Sequence, residues 1–144
     1  MFGFLKKKAG ESVQKFSGQT DFLEGVCAAA ALIAAADGEI EDSEVTATKK
    51  AVMANKALAS SFDGRTIDTT IDRMLDRAGG GRVGRAGLWK EIEESAKDPE
   101  KAEAIMCTAL DVAEGDGEIE PQEKVVLDKL ANILRVDLGK LMAA

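Results

Sequence analysis

The feature that most limits what this chain can become is a string written twice. Asp37-Gly-Glu-Ile-Glu-Asp-Ser-Glu44 returns 79 residues later as Asp116-Gly-Glu-Ile-Glu-Pro-Gln-Glu123, with six of eight positions identical. Each copy follows an apolar, Ala-rich segment holding one cysteine (22–35 and 102–113) and precedes an amphipathic one (45–54 and 125–134). Self-similarity at a fixed offset signals duplicated supersecondary structure. The unit reads as helix, acidic turn, helix.

Few β-branched alternations occur, and no Asn-Gly or Asp-Gly lies between such runs, so an all-α bundle is the economical fold. The spacing predicts a single domain over 1–144 with about seven helices, built from two pseudo-symmetric repeats. A short helix falls near 11–17. Repeat one spans about 21–55, as helices at 21–36 and 42–55, and a middle pair follows at 65–77 and 84–96. Repeat two spans about 99–134, as helices at 99–114 and 121–134, with a last turn near 137–142. Pro99 after Asp98 and Pro121 after Glu120 suit first helical positions, where proline's missing N–H costs nothing. Ile67, Ile71, Met74 and Leu75 share a face by their spacing. With 144 residues, 45% of them apolar, one core is expected. Phe22, Val26, Ile33, Val52, Leu75, Trp89, Ile105, Leu110, Val126 and Leu130 are its expected members. Five glycines within 79–87 mark a flexible connector at about 78–87. Without a preceding strand or a Lys-Ser/Thr pair it is no phosphate loop. Its neighbours Arg73, Arg77, Arg82, Arg85 and Lys90 make it a basic mobile loop or a bare anion nest.

Composition narrows the chemistry. The chain contains no histidine, which removes imidazole bases, Ser-His-Asp and Cys-His nucleophile systems, and zinc sites built on His. A net charge of −7 argues against nucleic acid as a partner. Cys27 and Cys107 sit in apolar runs and form no CxxC, so both read as buried core residues in a reducing compartment. The apolar run 26–36 is eleven residues long, too short to span a bilayer. Met1-Phe-Gly-Phe-Leu-Lys-Lys-Lys8 places apolar residues before charge, the reverse of a secretory signal, so cytoplasmic residence is expected. The same residues 1–8 offer a weak contact with an anionic membrane surface, which would make the protein peripheral at the inner face.

The acidic residues are not spread evenly. The sixteen positions of the two strings carry −9 and the remaining 128 carry +2. Such density must be solvated, offset by the following helix N-terminus, or shared by something positive. Capping accounts for part of it: Glu41 with Glu44, and Glu120 with Glu123, have capping-box spacing, and Ile40 and Ile119 stand where a hydrophobic staple would. Capping does not require Asp37, Glu39, Asp116 and Glu118. Hard-cation binding by carboxylates is the sharper account, because D-G-x-I-x-x-x-E matches the second half of an EF-hand loop. The first and third loop positions, however, fall on Ile33 and Ala35, and on Val112 and Glu114. The expectation is therefore a weaker, partly hydrated site for a divalent ion (Ca, Mg or Mn). Solvated caps and a partner-docking surface stay open beside it. Paired carboxylates in turns with no aromatic platform do not suggest an enzyme.

These residues carry a family likeness. Ala34-Ala-Ala-Asp-Gly-Glu-Ile-Glu-x-x-Glu44, its counterpart Ala113-Glu-Gly-Asp-Gly-Glu-Ile-Glu-Pro-Gln-Glu123, and the cysteine-bearing segments before them resemble the TerB tellurite-resistance family, within the wider TerB-like/DjlA N-terminal domain group. The Phe- and Lys-rich start and the closing Leu134-Arg-Val-Asp-Leu138 extend the resemblance to nearly the whole chain. It implies an all-helical, non-enzymatic protein acting in resistance to tellurium oxyanions and related stress. The implied partners are other tellurium-resistance proteins, calcium-binding and membrane-embedded ones among them, and the acidic motif residues it implies in metal binding are Asp37, Glu39, Glu41, Glu44, Asp116, Glu118, Glu120 and Glu123.

Overall fold

The computed structural model describes residues 16–115 and 117–143. Among these residues there are eight α-helices and no strand: α1 (Thr20–Ala34), α2 (Asp42–Ala54), α3 (Lys56–Ser61), α4 (Gly64–Gly79), α5 (Gly81–Ser95), α6 (Pro99–Gly115), α7 (Pro121–Leu134) and α8 (Leu138–Ala143). Each acidic string joins two helices, α1 to α2 and α6 to α7, as the sequence predicts. The expected helix at 11–17 falls mostly outside the described residues; Phe16, Ser17 and Gly18 form a turn.

Helix α1 is the axis of the bundle. Twelve of its fifteen residues are buried, and it packs on α2, α4, α5, α6 and α7. A helix apolar on every face belongs inside, and its alanines let neighbours come close. The closest approach is at Gly25, where a Cβ would lie 2.7 Å from Ile105 Cδ1 of α6. The amphipathic helices then cover α1 with single apolar faces: Ile67, Ile71, Met74 and Leu75 from α4, and Leu127, Leu130, Ala131 and Leu134 from α7. Phe16, Phe22 and Phe62 stack in series, with centroids 5.2 and 6.2 Å apart, and close one end of the core. Of the ten expected core residues, eight are buried, while Trp89 and Val126 are half-buried against the core.

Two features depart from the sequence reading. Helix α3 was not expected. Asn55 breaks the chain out of α2 with ψ 116° and caps α3 by accepting a hydrogen bond from Leu58 N at 3.1 Å, a signal that Asn carries. The larger departure is the Gly-rich segment 78–87. It is helical except at Gly80, where α4 turns into α5. Gly81 takes φ +82°, which favours glycine. A Cβ on Gly84 would lie 1.8 Å from the Arg77 carbonyl oxygen, and one on Gly87 would lie 2.8 Å from Arg77 Nη2. Gly84 lets the two helices touch backbone to backbone, and Gly87 leaves room for the Arg77 guanidinium; they do not loosen a loop. The anion nest goes with the loop. Arg77 pairs with Glu91, Arg73 with Glu24 at 2.8 Å, and Arg85 Nη1 donates to the Ala78 carbonyl at 3.3 Å.

Candidate functional site

Both acidic turns are built alike. At the end of α1 the Asp37 carboxylate accepts a hydrogen bond from Glu39 N at 3.1 Å, and Gly38 takes φ +95° to reverse the chain. In the second turn Gly117 holds φ +129°. Ile40 and Ile119 tuck against the core, so each turn is pinned from below. Glu41 and Glu120 then enter the next helix in extended conformation as N-caps, and both form complete capping boxes. Glu41 N donates to Glu44 Oε1 at 3.3 Å, and Glu120 N donates to Glu123 Oε1 at 2.9 Å.

The fold brings the two turns together. Because α1 packs on α6, and α2 and α7 contact α6 and α1 respectively, the C-terminal ends of α1 and α6 and the N-terminal ends of α2 and α7 border one cleft of about 430 Å³. Six of the eight candidate carboxylates line it: Asp37, Glu41 and Glu44 from the first turn, Glu118, Glu120 and Glu123 from the second. Glu39 is exposed but does not line it, and Asp116 lies outside the described residues. Among the described residues no lysine or arginine lines the cleft. The nearest lysines in sequence are engaged elsewhere, Lys49 with Asp68 and Asp72 of α4 and Lys124 with Asp128 of its own helix. Its floor is apolar, with Ile33, Ala34 and Ala113 buried.

The field in this cleft is unbalanced. The Glu44 carboxyl is pushed above the ordinary Glu range, first by burial and then by the charges of Asp37, Glu41 and, from the other repeat, Glu120. Like charges across the cleft thus add to burial in disfavouring the ionised form. The ends of α1 and α6 add the partial negative charge of helix C-termini, and the starts of α2 and α7 oppose it with the partial positive charge of helix N-termini. The oxygen donors suit a hard divalent ion, and the cleft has room for one that keeps part of its water shell. Among the described residues, no three His, Cys, Asp or Glu side chains form a ready-made cage. The arrangement therefore gathers charge around a space without closing a coordination shell.

Sequence reasoning left out the cleft's neutral polar lining: Ser43, Thr48 and Gln122. The available signal was periodicity, since Thr48 follows Glu44 by one helical turn and so shares its face. Burial pushes the Cys27 thiol up to about 12; Cys107, expected to be buried, is partly exposed. Among the described residues no helix is long and apolar enough to cross a membrane, and residues 1–8, with their expected surface contact, lie outside those described.

The family model described as Tellurite resistance protein TerB matches residues 23–144, from the start of α1 through both acidic turns to the end of the chain. No curated protein and no solved structure matches the chain.

Proposed function

The chain belongs to the TerB tellurite-resistance family, and we propose that it serves there as a non-enzymatic protein whose two acidic turns form one divalent-cation site. The observation that carries this reading is convergence. Two strings 79 residues apart in sequence deliver six carboxylates and no basic side chain to one cleft. A cation held between the turns would tie repeat one to repeat two, and the loaded face would be the surface offered to other tellurium-resistance proteins, at the cytoplasmic side of the membrane. Asp37, Glu41, Glu44, Glu118, Glu120 and Glu123 would supply the oxygens.

Titrating the protein with calcium, magnesium, manganese and zinc, and following amide shifts, tests this. Both turns, residues 37–44 and 116–123, are expected to respond together, because one ion bridges them. The absence of any response below millimolar metal removes the cation. Asp37→Asn combined with Asp116→Asn, assayed for metal response and for growth on tellurite, links the cleft to resistance; full protection with no metal response separates the two.

A further inference from the structure

We infer that Thr48 is a neutral oxygen ligand at the floor of the acidic cleft, an inference that rests on the cation reading above. Thr48 is 3% exposed and lines the cleft with the carboxylates. A threonine within a helix commonly returns its hydroxyl to the carbonyl four residues back. Thr46, Thr69, Thr70 and Thr108 do so here, donating to Asp42, Arg65, Thr66 and Ala104 at 3.0, 2.9, 2.7 and 2.7 Å. Thr48 makes no such bond among the described residues. Its hydroxyl is not sealed either. The buried side-chain oxygen left with neither partner nor solvent is Ser61 Oγ, so the small open fraction of Thr48 includes its hydroxyl, and the space this residue lines is the cleft.

The repeat sharpens the point. The position 79 residues on from Thr48 is Leu127, fully buried. Packing at this place in the unit is served by leucine, and repeat one departs from it by burying a hydroxyl beside Glu44. An apolar side chain there would pack as Leu127 does; threonine instead leaves a hydroxyl that has no protein partner among the described residues and opens onto the cleft. Hard divalent ions take a mixture of carboxylate and neutral oxygens, and the described carboxylates alone do not close a cage. A neutral donor at the floor, with acidic residues at the rim, supplies what the rim lacks.

Calorimetric titration with calcium and with manganese tests the assignment in wild type, Thr48→Val, Thr48→Ser and Thr48→Ala. Valine keeps the shape and removes the hydroxyl. It is expected to weaken binding roughly fivefold or more, as is alanine, while serine keeps wild-type affinity. Metal-free circular dichroism and melting of each variant are read alongside. Equal affinity in wild type and Thr48→Val overturns the inference and leaves the cation site standing. Weakening in Thr48→Ser equal to that in Thr48→Val also overturns it, since the methyl group and not the oxygen would then matter. Failure of the wild type to bind either metal overturns both this inference and the reading on which it rests.

Discussion

Replacing Gly84 by alanine is the sharpest way to ask whether the glycine-rich segment is packed or loose. The added methyl would sit 1.8 Å from the Arg77 carbonyl oxygen, 2.9 Å from the carbonyl carbon and 3.5 Å from Cα. A carbon against a carbonyl oxygen ordinarily rests at about 3.3 Å, so α4 and α5 must part by roughly 1.5 Å. The obstruction is backbone, which no rotamer change relieves. Parting the helices opens the seam where Met74, Ala78 and Leu88 are fully buried. Overpacking costs about 1–3 kcal/mol, and a backbone obstruction belongs at the top of that range. For a chain of this size that lowers the melting temperature by about 6–12 °C. Gly79 is the control: a Cβ there meets nothing within 4 Å and φ is not positive. Gly79→Ala therefore restricts the unfolded chain at no native cost and stabilises by about 0.4–1 kcal/mol. Thermal and urea unfolding followed by circular dichroism measure both. If Gly84→Ala matches the parent within about 0.5 kcal/mol, the close approach is not real and the segment is the flexible connector its composition suggests.

Glu44→Gln should raise metal-free stability near neutral pH by about 1 °C, because charge effects at a partly exposed carboxyl are small. Burial and neighbouring carboxylates raise the native pKa of Glu44, so its ionised form destabilises the fold above that pKa. The cost fades as pH falls through the native value toward the ordinary Glu range. The advantage of the variant should vanish over that window, and a constant difference from pH 7 to pH 4 would refute the field assigned to the cleft. Cys27, with burial holding its thiol near 12, should resist iodoacetamide in the native protein at pH 8 and react fully in urea; mass spectrometry of native Cys27 carrying the label would contradict its burial.

The fold was legible where periodicity and punctuation coincide. Pro99 and Pro121 mark the starts of α6 and α7, and the apolar face of α4 follows from the spacing of Ile67, Ile71, Met74 and Leu75. What misled is the double meaning of glycine. The same residue that frees a loop also lets two backbones touch, and Gly84 serves the second purpose only because Arg77 lies across from it, a neighbour that exists only once the chain has turned. Trp89 escaped for a related reason. Its apolar ring predicts burial, but Lys129 Nζ lies 4.2 Å from the ring centroid, and a cation over an aromatic face keeps that face near solvent. Within the candidate site, six carboxylates were readable from the strings. Their meeting depends on α1 packing against α6, a long-range contact that local pattern does not encode.

Capping and cation binding compete as explanations of the acidic strings only if a carboxylate can do one thing. In the capping boxes Glu44 and Glu123 each use Oε1 to accept from the N-cap N–H, and a carboxylate offers about four acceptor sites in all. The box fixes the side chain and leaves acceptor capacity toward the cleft. The choice of residue also differs from what capping alone would select. Two other helix starts are capped by short side chains: Asn55 accepts from Leu58 N, and Asp98 accepts from the backbone of Glu100 and Lys101. These are favoured N-cap residues, and Glu is not among them. Yet at α2 and α7, where the caps face the cleft, Glu stands at the N-cap both times. A longer side chain is a weaker cap and a longer reach. Its repeated use at these two helix starts, and not at the starts capped by Asn55 and Asp98, is what a site needing oxygens over the cleft requires and what helix stability alone does not.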